Sequence, residues 1–303
     1  MKKLIVIVPA FNEEERVASA IEALNSLKEF YKTKEIEFLV YIINDGSTDK
    51  TLEIAKNSNA DRIIKHKINL GLGAAIRSGL TAAKHDNADI VVKFDADLQH
   101  NPDNIWDLIQ PILNDEADTV YGHRFNKIAY KMPFVRKIGN KVFSGLMRWL
   151  TSWPVYDSQP GILAVNSAYL KNFYIPGDYN YTQQILLNSY HSGMRFAHVD
   201  VEFRKRETGK SFISYKYPFK VIPQIMQIVI GIKPLKFFAP IGLLFLGIAA
   251  LIGGVEILMW LSGNNPKPIE HVNLVLGSFL FGVQTLFFGL LADLIVKMNR
   301  RDA

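Results

Sequence analysis

The stretch IVVKFDADLQH, Ile90–His100, decides how the chain reads. It runs apolar and β-branched, then breaks into acidic and amide residues. That is the pattern of a strand buried on both faces and ending at a polar rim. Asp95 and Asp97 lie two positions apart, and such side chains leave an extended chain in the same direction. Two anions held that close repel each other unless a cation or a proton sits between them. A hard divalent ion that also grips a phosphate accounts for the spacing. The plainer alternative is a capped turn, with Asp97 or Asn101 opening a helix near Pro102.

Outward from this strand, the two periodicities alternate. KLIVIVPAFNE reads as a strand and loop, and EERVASAIEALNSLKEFY carries Val17, Ile21, Leu24 and Leu27 at helical spacing. IEFLVYIINDGSTDKT is a second buried strand, followed by the helix KTLEIAKNSN and the short strand DRIIKHK. NLGLGAAIRSGLTAAKHD is a Gly-started helix, PDNIWDLIQPILND follows the DAD strand as another, and DTVYGHR is a fifth strand. The alternation predicts an α/β fold with a parallel, helix-covered sheet that binds ligands beyond its strands' C-terminal ends. Three polar clusters fall at those ends: Pro9–Glu13, Asn44–Asp49 and Asp95–His100. Three clusters on one sheet edge make a site, where one would be punctuation. GLGAAIRSG lacks the Lys and Ser/Thr of a P-loop and does not follow the first strand, so its glycines predict tight turning and close helix packing.

The 303 residues include no Cys and carry a net charge of +6. A disulfide framework and thiolate metal sites are excluded. The modest basic excess suits a membrane surface or a phosphorylated substrate and gives no ground for nucleic acid. The N-terminal apolar run is too short for a signal peptide and meets acidic residues at once. After about Tyr215, charge nearly vanishes. Phe237–Leu261 and Val272–Val296 are each long enough to cross about 30 Å of hydrocarbon. Lys233 and Lys236 flank the first span, Lys297, Arg300 and Arg301 follow the second, and the connector holds one Lys. The positive-inside rule then predicts an integral membrane protein with its catalytic domain and both termini in the cytoplasm. Glu256 and Asp293, near the span ends, read as interfacial. Basic and aromatic residues mix in 128–153 and again in 217–238, the signature of helices lying in a membrane interface; the competing reading packs both on the sheet. The expected organisation is a catalytic domain over 1–215, with 128–153 interfacial, a juxtamembrane helix over 216–236, and a transmembrane hairpin with basic tail over 237–303. Arg136, within the first interfacial segment, is placed to bind a lipid phosphate. His66, His85, His191 and His198 show no metal-ligand spacing and read as surface or packing residues; His100 is within reach of a phosphate.

VPAFNEEE, NDGSTDKT, NLGLGAAIRSGL, FDADLQHNPDNI and VYGHRF, in this order, resemble family 2 glycosyltransferases with a GT-A fold. Within them, the chain is most similar to polyprenyl-phosphate glycosyltransferases, the group that includes dolichol-phosphate mannose synthases. The resemblance implies a nucleoside pocket lined by Pro9, Phe11, Asn12 and Glu13, with Asp45 on the base and Asp95 near ribose and metal. It implies Mg²⁺ or Mn²⁺ held by Asp97 and Gln99 beside Asp95, and Arg124 on phosphate. DSQPG would place Asp157 beside the sugar, and RKRETGKS would bring Arg206 and Ser211 to a phosphate. Departures from the pattern are His123, Phe212, and Gln183 or Gln184 in place of an acidic residue. The implied function is a membrane-bound inverting glycosyltransferase that moves a hexose from a UDP- or GDP-sugar to polyprenyl phosphate, with Asp97, Asp157 and Arg124 catalytic. A lipid phosphate is ionised at neutral pH and needs no base, unlike a sugar hydroxyl. The alternatives are a family 2 enzyme acting on a sugar or glycolipid hydroxyl, and an inactive membrane scaffold. The expected partners are donor, lipid acceptor and bilayer; a homo-oligomer is left open.

Overall fold

The computed structural model describes residues 1–124, 134–175, 177, 178, 180–203, 226, 229–231 and 233–299. Contacts within the chain divide it into Met1–Phe212 and Ile213–Ala303.

Among the described residues, the first unit holds a seven-stranded sheet. Its strands are β1 (Lys2–Ala10), β2 (Ile36–Asn44), β3 (Arg62–Lys65), β4 (Ile90–Lys93), β5 (Thr119–His123), β6 (Leu163–Asn166) and β7 (Phe196–Asp200), in the order β3-β2-β1-β4-β6-β5-β7. All neighbours pair in parallel except β6, which runs antiparallel to both β4 and β5. The α/β reading of a mostly parallel sheet holds. The helical stretch after β1 forms two helices, α1 (Val17–Asn25) and α2 (Lys28–Thr33), where the periodicity suggested one. Ser26 turns its hydroxyl onto the Ala23 carbonyl and Asn25 reaches the Asn59 carbonyl. Such side-chain bonds compete with a continuing helix.

β1 is the centre of the core. Leu4, Val6 and Val8 point to the side of Val17, Ile21 and Leu24 of α1 and of Ile105, Leu108 and Ile109 of the helix Asn104–Leu113. Ile7, on the opposite face, meets Gly79 of the helix Leu72–His85, where an added β-carbon would stand 3.1 Å from both Ile7 and Ile43. The period of two thus buries both faces, and each fully buried Ile or Leu contributes about 1.5–3 kcal/mol. β1 lies between β2 and β4, so the chain leaves this point of the sheet in opposite directions. A crevice beyond the strands' C-terminal ends is the consequence.

The second unit contains two long helices, Pro234–Leu261 and Val272–Asn299, joined by a short connector. Both are long and apolar enough to cross a membrane, and their most apolar windows are only 22% and 17% buried. A core helix of a soluble protein would be mostly buried; here Leu243, Leu251, Leu258, Phe279, Phe287 and Leu290 face outward. The pair has the length, composition and outward apolar faces of helices that cross a membrane. Gly242 and Gly282 let the helices touch, because a β-carbon on either would stand 2.9 Å from the other's carbonyl oxygen. Glu256, read from sequence as interfacial, accepts from the Glu270 and His271 N–H groups and meets His271 Nδ1 at 2.5 Å. It therefore joins the end of the first helix to the start of the second. Asp293 pairs with Lys297 at 2.7 Å.

Candidate active site

The loops after β1 and β2 are bound to each other. Asn12, in the left-handed region at φ 54°, donates its N–H to the Ser47 hydroxyl and accepts from Thr48 N–H through its side chain. Glu13 N–H donates to the Thr51 hydroxyl at 2.8 Å, Glu14 N–H to Asp49, and Lys50 N–H to the Glu14 carboxylate. Glu13's own carboxylate meets Arg16 at 3.1 Å. Pro9 and Ala10 close the buried strand, and Phe11 just beyond it is exposed. Two of the three clusters are thereby brought together.

Asp45 is buried and faces inward. Its carboxylate accepts from Leu70 N–H and Gly71 N–H and meets His66 Nδ1 at 2.7 Å. His66 continues to the Ser78 hydroxyl at 2.9 Å. His66, read as a surface or packing residue, is a half-buried polar link between the β2 end and the Leu72–His85 helix. Gly71, at φ 92°, begins that helix, and Gly73 packs against Gly177 and Asp178. These contacts supply the tight turning and close packing read from GLGAAIRSG.

The third cluster follows β4. Asp95, Asp97 and Gln99 are half-buried, whereas Ala96 and His100 are buried. Asp97 accepts from Gln99 N–H at 3.1 Å, and Leu98 takes φ 53° to turn the chain. Among the described residues, no three His, Cys, Asp or Glu side chains gather as a complete metal site. Two carboxylates and an amide oxygen are a partial set of hard donors. They suit Mg²⁺ or Mn²⁺ completed by phosphate oxygens and water.

Asp95 has a partner that the sequence reading missed: Lys93 Nζ stands 2.5 Å from its Oδ1. The His100 ring lies tilted against Phe203 with centroids 4.9 Å apart, and neither of its ring nitrogens has a hydrogen-bond partner among the described residues. Burial pushes its pKa down to about 4. A β-carbon on Gly161 would collide with His100 Nε2 and lie 3.1 Å from Asp95 Oδ2, so only glycine fits there.

Arg124, just past β5, is 4% exposed and its Nε meets Asp157 Oδ2 at 2.8 Å. Asp157 is fully buried; its Oδ1 also accepts from Asn140 Nδ2 at 2.7 Å and Gln159 N–H at 3.0 Å. Asn140 and Ser144 belong to the helix Phe134–Thr151, and Ser144 accepts from Ser158 N–H. His123 meets Asp200 at 2.9 Å. Gln184 bonds the Gly177 backbone, and Gln183 is buried. The side chain of Arg136, and Arg206 and Ser211 altogether, lie outside the described residues, as do most of 216–236.

This geometry is that of an α/β domain whose sheet edge gathers polar loops and a partial set of hard oxygen donors. The chain belongs to glycosyl transferase family 2, whose profile matches residues 5–171. It is a glycosyltransferase. It is 31% identical to the uncharacterized protein MJ1222 of Methanocaldococcus jannaschii over 73% of this chain and 92% of that one. It is 36% identical to the UDP-N-acetylglucosamine–dolichyl-phosphate N-acetylglucosaminyltransferase of Methanococcus voltae, covering 56% of this chain and 72% of that one. Dodecaprenyl-phosphate galacturonate synthase of Rhizobium johnstonii is 26% identical over 99% of this chain and 89% of its own length. Among solved structures, glucosyl-3-phosphoglycerate synthase of Mycobacterium tuberculosis with Mn²⁺ and UDP-glucose shares the fold at TM-score 0.58 and 23% identity, covering 75% of this chain and 79% of that one.

Proposed function

We propose that the chain transfers a hexose, with inversion, from a nucleoside-diphosphate sugar to a polyprenyl phosphate. The observation that carries this reading is one chain combining an open Asp95–Asp97–Gln99 edge with an apolar helical hairpin. Two of the relatives above are named for transfer to dolichyl or dodecaprenyl phosphate, which supports the acceptor class. Mn²⁺ and UDP-glucose in a structure of the same fold support the donor class and the metal.

In this reading, Asp97 and Gln99 hold Mg²⁺ or Mn²⁺ with help from Asp95. When bound, such an ion neutralises charge on the departing diphosphate. Pro9, Phe11, Asn12 and Glu13 form the nucleoside side of the site, with Asp45 fixing its wall. Arg124 offers a planar guanidinium suited to phosphate oxygens. The oxygens of Asp157 are occupied by Arg124, Asn140 and Gln159; its role is to orient Arg124 rather than to take a proton. An acceptor phosphate, already ionised, attacks the anomeric carbon without a base. Arg136, Arg206 and Ser211 are assigned to phosphate by sequence pattern alone. We assign 1–215 to the catalytic domain, 216–236 to a juxtamembrane helix and 237–303 to the membrane hairpin and tail, with the catalytic domain and both termini cytoplasmic.

The test offers purified full-length protein polyprenyl phosphate, Mn²⁺ and a panel of UDP- and GDP-sugars, and reads glycolipid by mass spectrometry. One donor should yield polyprenyl-phosphate hexose, and Asp97→Ala should abolish it even in saturating Mn²⁺. Sugar transfer only to hydroxyl acceptors, or near-normal turnover by Asp97→Ala, defeats the reading.

A further inference from the structure

Lys93 is the last residue of β4, two positions before Asp95, and only 2% exposed. Its Nζ donates to Asp95 Oδ1 at 2.5 Å and to the Gly161 carbonyl at 2.7 Å. The Tyr181 ring lies 5.8 Å from it. A lysine buried this deeply loses its proton unless anionic or polar groups hold it. Asp95 and the Gly161 carbonyl supply that hold from two sides. His100 and Arg124 complete the ionisable surroundings.

We propose that Lys93 is a positioning residue that fixes Asp95 and sets the site against bare metal and in favour of the metal–nucleotide pair. This rests on the reading that Asp95, Asp97 and Gln99 receive a divalent ion together with the donor's diphosphate. Any cation that Asp95 helps to hold shares its carboxylate with the Lys93 ammonium, 2.5 Å from Oδ1. Coulomb's law then gives Lys93 opposite effects on the two ligands: it weakens a divalent cation arriving alone and strengthens a diphosphate arriving alone. With both present, the two effects oppose each other and largely cancel. Without Lys93, two neighbouring carboxylates would trap free metal. The bond to Gly161 adds a mechanical part, since it joins the β4 end to the Asp157–Gly161 segment that carries Arg124's partner.

The test compares full-length wild type with Lys93→Met in detergent. Mn²⁺ affinity without nucleotide is read from the paramagnetic resonance of free Mn²⁺. UDP affinity is read by calorimetry in EDTA, with GDP substituted where wild type prefers it. Lys93→Met should bind Mn²⁺ roughly tenfold more tightly and the nucleotide roughly tenfold more weakly, a change of one screened charge contact. Lys93→Arg, which keeps the charge, should move both far less. A purely structural role would weaken both ligands together; that result, or unchanged affinities, overturns the proposal. Should Lys93→Met fail to fold, Lys93→Gln retains a donor for the Gly161 carbonyl and is read the same way. Wild type that binds no Mn²⁺, with or without nucleotide, removes the metal reading and this proposal together. Wild type that binds Mn²⁺ while Lys93→Met shows no gain removes only the role of Lys93.

Discussion

Asp157 and Arg124 bury opposite charges against each other, and such a pair is most revealing when one half is removed. Breaking a buried pair leaves an uncompensated charge and costs about 3–5 kcal/mol. Asp157→Asn should therefore lower the thermal unfolding temperature markedly and reduce turnover through a displaced Arg124. The double variant Asp157→Leu with Arg124→Met should be less destabilised than the sum of the single changes, which a double-mutant cycle measures. His198 supplies a pH dependence. Burial first, and then the neighbouring His123, push its pKa down to about 4, and its Nε2 accepts the Tyr156 N–H. The unfolded chain takes up this proton near histidine's ordinary value of 6.5. Stability is thus complete above that pH and is lost as pH falls towards about 4, by about 3 kcal/mol at most. Denaturant melts between pH 7 and 4 should show this slope, and His198→Gln should flatten it.

At the scale of elements, the helix Phe134–Thr151 has an inverted dress. Asn140 and Ser144 turn inward to Asp157 and Ser158, while Val142 and Trp149 stand 63% and 47% exposed beside Lys141 and Arg148. An outer face of apolar, aromatic and basic residues matches a membrane interface. Trp149→Glu combined with Lys141→Glu should raise KM for a long-chain polyprenyl phosphate several-fold. The same change should leave KM for a short, water-soluble analogue unaltered, as steady-state kinetics would show. The sequence made β1, β2, β4 and β5 and their polar ends legible, because a buried strand and a polar rim differ sharply in composition. It did not reveal that LAVN, at Leu163–Asn166, runs antiparallel between β4 and β5. Strand direction leaves no mark on a four-residue apolar run. Nor did it identify Lys93 or His66 as partners of Asp95 and Asp45. A lysine inside a strand reads as the strand's edge until the fold shows what surrounds its ammonium, and Gly161, 68 positions away, supplies half of that setting. The pairing of Asp157 with Arg124 is similarly invisible, since DSQPG and GHR carry no periodicity that links them.

For the whole molecule, the charge flanking the hairpin fixes an expected orientation. Lys233 precedes the first helix and Lys236 lies in its first turn, Lys297 lies in the last turn of the second, and the connector between them holds one Lys. The chain contains no Cys, so one introduced thiol reports on its own surroundings without background. In intact cells, Asn264→Cys in the connector should react with a membrane-impermeant maleimide. Ser26→Cys in the catalytic domain should react only after lysis. The reverse pattern would invert the orientation.

The bonds among Asn12, Glu13, Glu14, Ser47, Thr48, Asp49, Lys50 and Thr51 need no visitor to form. The floor on which a nucleoside would rest is cast in advance, so little chain entropy remains to be surrendered on arrival. Evolution of donor preference on such a floor proceeds by exchanging the side chains set into it, such as the outward Phe11, while the backbone beneath keeps its shape.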